Sequence, residues 1–333
     1  MIIKIINILT ILLFSQGLAL ANNTNIEERL ITENRTYYKT KKTWQNTYNT
    51  LIKNGESIKG ATFIAPIKGN GYNDRLHRNG ARNTIIFVPV TTNFNKPVDI
   101  IFYFHGLGGF KERDFKTRVL KHTKNLREEG KNFIIVVPEM PWSKNTSTAR
   151  SRQGKVFTKK DQFPTFVNSV VKIVVGLFDP SPVKQEKCKM YNMCHFNFGN
   201  AILIGHSAGG STLMSISKSG GLDWLYEKRS AQSVKIIFSD AGYGRWTDIT
   251  WRNFKLKGLD TNTKFILLTR KWDRPHRNTK RFLKRFKTAP LNIMHKVFDR
   301  KTTSHSGIGD QAFTWAYYTE DSGCGENGRE TDY

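Results

Sequence analysis

The chain has 333 residues, 38% of them hydrophobic and 12% aromatic, which is enough to bury a substantial core and excludes a disordered chain. Lysine and arginine total 53 against 27 aspartate and glutamate, and the formal charge of +26 favours anionic partners such as nucleic acid, lipid headgroups or acidic polysaccharide. Three cysteines are too few for a disulfide scaffold or a zinc-finger array.

The first 21 residues have the pattern of a secretory signal peptide. Lys4 gives a short positive start, Ile5–Leu13 is mostly apolar, and Ala19 and Ala21 form a small-x-small cleavage signal. The apolar run is shorter than the roughly 20 residues that span a bilayer, and no later segment is long and apolar enough. We therefore expect a secreted or periplasmic protein with no transmembrane segment after signal removal.

Residues 22–60 are polar and charged, and we interpret them as an N-terminal extension before a domain over residues 61–333. Export permits disulfides. Cys188 and Cys194 are separated by five residues in a polar stretch, so a local pair is one expectation, with Cys324 far away near the C-terminus.

From Ala61 onward, apolar β-type runs alternate with helical patterns. Continuous Ile, Val and Phe runs are typical of strands buried on both faces. The pattern predicts an α/β domain with a mostly parallel central sheet of about eight strands and helices on both faces. The first two runs have no room for a helix between them, which indicates an antiparallel edge. The predicted strands are Ala61–Ile67, Thr84–Val90, Asp99–Phe104, Asn132–Pro138, Ala201–Ile204, Val234–Ser239, Lys264–Thr269 and Asn292–Phe298.

Four helices are predicted between these runs: Arg113–Glu129, Phe163–Phe178, Ala208–Ser219 and Arg277–Lys287. Two polar stretches, Ser143–Asp161 and Asp179–Asn200, read as loops because they are rich in Ser, Thr, Lys or Pro. Each loop lies next to a predicted strand and is a candidate border of a functional site.

The strand Ala201–Ile204 runs into Gly205-His-Ser207-Ala-Gly209, a G-x-S-x-G pattern, and then into a helix-compatible segment. A serine at such a strand–turn–helix junction is exposed on a sharp turn, and the flanking glycines let strand and helix approach. Ser207 is therefore the candidate nucleophile.

A second glycine-rich turn follows the strand Asp99–Phe104 and reads His105-Gly-Leu107-Gly-Gly. Attack on an acyl carbonyl builds negative charge on its oxygen, which two backbone N–H groups can stabilise. We assign these donors to Ala208, next to the nucleophile, and to Leu107, with Gly108 as the second choice in that loop. His105 is interpreted as a buttress of the loop.

A serine nucleophile needs a histidine base and an orienting carboxylate. His305 follows the last predicted strand in a small-residue loop, which is the position expected of the base. His295 lies within that strand and His276 in a basic loop. For the acid, we favour Asp273, after the strand Lys264–Thr269, over Asp240, after the strand Val234–Ser239.

These motifs, in the order Gly-rich loop, Ser207, acid and His305, resemble the α/β-hydrolase-fold serine hydrolases of the secreted esterase, lipase or depolymerase kind, over roughly residues 60 to 318. The resemblance implies an acyl-serine intermediate and no metal or organic cofactor. The expected substrate is a small-molecule or polymeric carboxylic ester.

Two alternatives stay open: an amidase or peptidase using the same residues, and a basic binding protein on a catalytically inactive hydrolase scaffold. The segment Arg270–Lys287 holds nine Lys and Arg against one Asp. It indicates either a solvated helix or a surface that recruits an anionic substrate or envelope. No pattern of a specific nucleic-acid-binding protein is present.

Overall fold

The computed structural model describes residues 60–67, 82–89, 91–108, 126, 129–142, 153–178, 196–257, 263–286 and 292–317. The expected signal peptide, the polar extension and all three cysteines lie outside these residues. So does most of the predicted helix Arg113–Glu129, of which Leu126 is described as helical and Glu129 as part of a turn.

The chain divides into two compact units. One comprises residues 1–50 and 171–195, of which the structure describes 171–178. The other comprises residues 51–170 and 196–333 and contains the sheet. The fold and the site below belong to this second unit.

Eight strands form one sheet in the order β1-β2-β4-β3-β5-β6-β7-β8. The β1–β2 and β2–β4 pairs are antiparallel and the other pairs are parallel. Both the mostly parallel sheet and its antiparallel edge are thus confirmed. The strands are β1 Gly60–Ile67, β2 Arg82–Pro89, β3 Val98–Phe104, β4 Phe133–Pro138, β5 Phe198–His206, β6 Ser233–Ser239, β7 Thr263–Arg270 and β8 Ile293–Phe298.

Six helices are described: α1 Gln162–Phe178, α2 Gly210–Lys218, α3 Gly221–Arg229, α4 Trp246–Lys257, α5 Arg274–Leu283 and α6 His305–Ala316. The sequence pattern missed α3, α4 and α6. It also placed α5 too late, because Pro275 stands in the first turn and Asp273 is the N-cap. Within the described ranges, no helix has the length and apolarity needed to cross a membrane.

The sheet is covered on both faces, because consecutive residues of its central strands are buried. All six residues of β4 are buried, and β3 is buried except for Asp99. Phe157 and Phe163 pack with ring centroids 5.4 Å apart, and Phe102 of β3 lies 5.4 Å from Phe163. This aromatic core fixes β3 against the start of α1.

Since β3 and β5 to β8 are parallel, the segments that follow them all emerge at the carboxyl ends of these strands, which we call the site edge of the sheet. The Gly-rich loop, Ser207, both candidate acids and His305 all follow these strands. The topology therefore gathers the chemistry-bearing residues at that edge.

Candidate active site

Ser207 stands at a strained turn between β5 and α2. Its φ of +51° is in the left-handed region, which a residue with a side chain rarely adopts. A single 3₁₀ turn, Ser207–Gly209, joins the strand to the helix. The strand–turn–helix context expected for the motif is present, and this geometry exposes a nucleophile at the sheet edge.

The two glycines of the motif are required by space. A Cβ on Gly209 would lie 2.0 Å from the Phe104 carbonyl oxygen, and one on Gly205 would lie 2.7 Å from Cδ1 of Leu213. Only glycine lets β3, β5 and α2 approach this closely.

The fold is that of the α/β hydrolases.

His305 is held by a buried carboxylate. Its Nδ1 donates to Oδ2 of Asp240 at 2.5 Å, while the Asp240 side chain is 1% exposed and the His305 side chain 38% exposed. Asp240 directly follows β6, at a φ of +45°. With Nδ1 donating to Asp240, Nε2 of His305 is the nitrogen left to accept a proton.

Asp273 was the favoured acid from sequence, but the structure brings Asp240 to His305 instead. The Asp273 carboxylate accepts from Nε of Arg270 at 2.6 Å and is also paired with its terminal nitrogen. Arg300 approaches its other oxygen at 3.8 Å. Asp273 is the N-cap residue of α5 and the ion-pair partner of Arg270, the last residue of β7.

Arg270 connects the two candidate acids. Its Nε lies 3.9 Å from Oδ2 of Asp240, the same oxygen that accepts from His305. Because Asp273 takes the hydrogen bonds of the guanidinium, Arg270 stays at ion-pair distance from Asp240 rather than in direct competition with His305.

A second histidine, His206, positions the base from the nucleophile side. Its Nε2 donates to the His305 backbone carbonyl at 2.9 Å, and the two ring centroids are 4.8 Å apart. Since His206 precedes Ser207, this contact places the start of α6 beside the nucleophile. Sequence reasoning assigned no role to His206, although it occupies the variable position of the motif.

His305 begins a helix rather than lying in a loop. Ser304 is the N-cap of α6, and its hydroxyl accepts from the Gly307 amide at 3.0 Å. Gly309 lies so close to the His206 ring that a Cβ would be 3.1 Å from it. The small residues that suggested a loop instead allow α6 to dock over the site.

The His105 loop is locked by hydrogen bonds. Nδ1 of His105 donates to the Gly106 carbonyl at 2.7 Å, and Nε2 accepts from the Met140 amide at 2.9 Å. Its carbonyl accepts from Trp142 Nε1 at 2.9 Å. These bonds match the buttressing role expected of His105.

The same loop contains the backbone amides that are candidates for the second oxyanion donor. The Gly108 amide donates to the Trp142 carbonyl at 3.0 Å, so it is engaged elsewhere. Gly106 faces the nucleophile, since a Cβ there would lie 3.0 Å from Cβ of Ser207. Leu107, between them, remains the loop donor best suited to act with Ala208.

Tyr243, in the turn after Asp240, is a further site residue that the sequence did not single out. Its hydroxyl lies near the Ser207 side chain. Burial, and then the negative charge of Asp240, raise the pKa of Tyr243, and the interaction with Ser207 acts in the opposite direction. The phenol is therefore neutral near neutral pH and can donate a hydrogen bond.

The other two candidate histidines form a buried pair away from this arrangement. His276 and His295 both lie within hydrogen-bond distance of the Thr269 hydroxyl, at 3.2 and 2.9 Å. Burial, followed by the charges of His276 and Lys280, lowers the pKa of His295 to about 3. His276 lies on α5 and is buried, not in an open basic loop.

Among the residues that the structure describes, no group of three or more His, Cys, Asp or Glu side chains could hold a metal ion. The arrangement that they do form, a strained serine beside a histidine bonded to a buried carboxylate, is suited to nucleophilic attack by Ser207.

Neither the protein-family models nor the curated proteins gave a match. Among solved structures, the chain is similar to an S954A feruloyl esterase module from Clostridium thermocellum in complex with sinapinate (14% identity, 78% of this chain and 87% of that one, TM-score 0.47). A ferulic acid esterase from Anaeromyces mucronatus matches at 14% identity over 78% and 88% of the chains, with a TM-score of 0.39.

A dienelactone hydrolase from Klebsiella pneumoniae matches at 13% identity over 79% and 93% of the chains, with a TM-score of 0.34. Likenesses this distant do not transfer a substrate to this chain.

Proposed function

We propose that this chain is a serine hydrolase that cleaves carboxylic esters through an acyl-serine intermediate. The observation that carries the proposal is the bond from His305 Nδ1 to the buried Asp240 carboxylate, beside a serine at a strained turn. A histidine oriented in this way accepts a proton at Nε2 and is stabilised as an imidazolium by the carboxylate.

In the proposed reaction, the Ser207 hydroxyl attacks the ester carbonyl and its proton passes to Nε2 of His305. The tetrahedral oxyanion is stabilised by the amides of Leu107 and Ala208. Collapse breaks the ester C–O bond, and the leaving alcohol takes the proton from His305. Water then attacks the acyl-serine with His305 again as base, which releases the acid and restores Ser207.

Tyr243 has a supporting role in this proposal. Its neutral hydroxyl, which lies near the Ser207 side chain, donates a hydrogen bond to the nucleophile in this proposal. A neutral phenol at this point also avoids a second negative charge beside Asp240.

Hydrolysis of matched ester and amide substrates, with the same acyl group, tests the reaction type. We expect the wild type to cleave the ester faster and Ser207→Ala to lose both activities. Ser219→Ala is the control, because Ser219 lies just after α2 and bonds a helix carbonyl at 3.2 Å. Full ester hydrolysis by a folded Ser207→Ala variant would disprove the proposal.

We also propose that the protein is exported, on the signal-peptide pattern of the first 21 residues. The expected mature N-terminus is Asn22. N-terminal sequencing of the protein from the periplasm or the medium tests this, and a retained, uncleaved Met1 would contradict it.

A further inference from the structure

Trp272 is exposed at the edge of the sheet that carries the site. Among the described residues, it is the large hydrophobic side chain that stands exposed, with 67% of its surface open to solvent. Its φ of +68° is in the left-handed region, which is unfavourable for a bulky residue. An apolar ring in this position is not explained by core packing.

The surrounding turn keeps Trp272 exposed. A guanidinium nitrogen of Arg277 donates to the Trp272 carbonyl at 2.7 Å, and the Asp273 amide donates to the Arg270 carbonyl at 3.2 Å. The Lys271 ammonium lies 5.8 Å from the centre of the indole ring. The exposed ring therefore stands on a hydrogen-bonded turn, with the Lys271 ammonium close to it.

Helix α5, which begins directly after this turn, continues the positive charge. Its buried face carries Pro275, His276, Thr279 and Phe282. Four cations at helical spacing occupy the opposite face, and all are exposed. We refer to them as the basic stripe: Arg274, Arg277, Arg281 and Lys284.

Nearby carboxylates are engaged by other cations. Asp273 pairs with Arg270 and is approached by Arg300. Asp248, on α4, pairs with Arg285 and Arg245. Neither of these two acids forms an ion pair with a cation of the basic stripe.

We propose that Trp272 and the basic stripe dock the protein on an anionic lipid surface. A lipid interface offers a partner for both features, acyl chains for the exposed ring and anionic headgroups for the cations, whereas a soluble anionic polymer offers a partner for the cations alone. Indole rings favour the boundary between headgroups and acyl chains, and each Lys or Arg near an anionic leaflet adds attraction. The ring supplies the apolar contact and the stripe supplies the charge.

This surface borders the site. Asp273 follows Trp272 and is bonded to Arg270, whose Nε lies 3.9 Å from the Asp240 carboxylate. Docking through Trp272 would hold the sheet edge close to the membrane, where ester groups of lipids are presented. This consequence rests on the proposed function, whereas the binding itself does not.

The test is co-sedimentation of the mature Ser207→Ala protein with vesicles, so that binding is measured without hydrolysis. Vesicles of phosphatidylcholine alone are compared with vesicles in which a third of the lipid is phosphatidylglycerol. Trp272→Ser removes the ring, and Arg274→Glu/Arg281→Glu reverses charge within the stripe. Lys218→Glu/Lys228→Glu is the matched control, because it makes the same charge change at exposed residues of α2 and α3.

We expect the protein to bind the vesicles that contain phosphatidylglycerol and not those of phosphatidylcholine. Each test variant should reduce this binding about tenfold or more, and the control variant should reduce it less than about threefold. Equal binding by wild type and both test variants would overturn the proposal, as would an equal loss in the control. Binding to soluble polyglutamate but not to vesicles would assign the surface to an acidic polymer and also overturn it. Loss of ester hydrolysis with vesicle binding intact would affect only the proposed function.

Discussion

The Asp240 carboxylate and the His305 imidazole are joined by a 2.5 Å hydrogen bond, although 65 residues separate them in sequence. Asp240 follows β6 and His305 follows β8, whereas Asp273 follows β7. The carboxylate of Asp273, after β7, accepts a hydrogen bond from Arg270.

Asp240→Asn should lower kcat about 10⁴-fold, because the amide would favour the wrong tautomer of His305. Asp273→Asn should lower kcat no more than about tenfold, since Asp273 does not contact the base. Steady-state kinetics on one soluble ester measure both effects. If Asp273→Asn caused the large loss and Asp240→Asn the small one, the assignment of Asp240 as the acid would be wrong.

The loss in Asp273→Asn should come from Arg270. Without its carboxylate partner, the Arg270 guanidinium can move onto Oδ2 of Asp240 and compete with His305. A second substitution, Arg270→Gln, should therefore restore most of the activity of Asp273→Asn. A double variant no better than Asp273→Asn would show that Asp273 acts on the reaction directly.

Tyr243→Phe should lower kcat/KM about three- to tenfold, because it removes the proposed hydrogen bond to Ser207, worth about 0.5–1.5 kcal/mol. The phenyl ring keeps the packing, so the melting temperature should change little. Tyr226→Phe is a control, since its hydroxyl contacts Thr263 and the Val234 amide away from the site. Unchanged kinetics in Tyr243→Phe would remove its supporting role.

Much of the fold was accessible from sequence, because buried parallel strands are continuous apolar runs and are bounded by glycine or polar turns. The nucleophile motif was equally clear, since steric crowding at Gly205 and Gly209 leaves a local sequence pattern. Helix α6 was missed because Gly307 and Gly309 lower helix propensity, while docking against His206 stabilises the helix.

The choice of acid could not be made from sequence. Asp240 and Asp273 each follow a parallel strand, so both reach the same edge of the sheet. What separates them is the Arg270 side chain, which pairs with Asp273, and the path of α6, which brings His305 to Asp240. The bond from His206 to the His305 carbonyl is likewise a contact between distant segments and leaves no local signal.

Gly209→Ala should destabilise the protein by about 3 kcal/mol or more, because its Cβ would overlap the Phe104 carbonyl oxygen at 2.0 Å. Gly130→Ala is the comparison, since Gly130 has a φ of +68° but open space around it. Left-handed strain there should cost about 1–2 kcal/mol. Urea unfolding measures both, and equal losses would show that close packing at the elbow is not the limiting factor.

The stability of the fold should decrease as pH decreases, because of His295. Its pKa is about 3 in the fold, against 6.5 as the ordinary value, so the unfolded chain binds a proton that the folded protein does not. This contribution is complete above about pH 6.5 and is lost as pH falls toward about 3. His295→Gln should flatten the dependence of unfolding free energy on pH in this window, and an unchanged slope would refute the assignment.

We propose above that Ser207 is a nucleophile activated by His305 and Asp240. The most direct test is fluorophosphonate labelling followed by peptide mapping, in the wild type and in Asp240→Asn, Asp273→Asn and Ser207→Ala. We expect a single adduct on Ser207, which forms far more slowly in Asp240→Asn, only modestly more slowly in Asp273→Asn and not at all in Ser207→Ala. No adduct in a folded wild-type protein, or an adduct on another serine, would contradict the proposal.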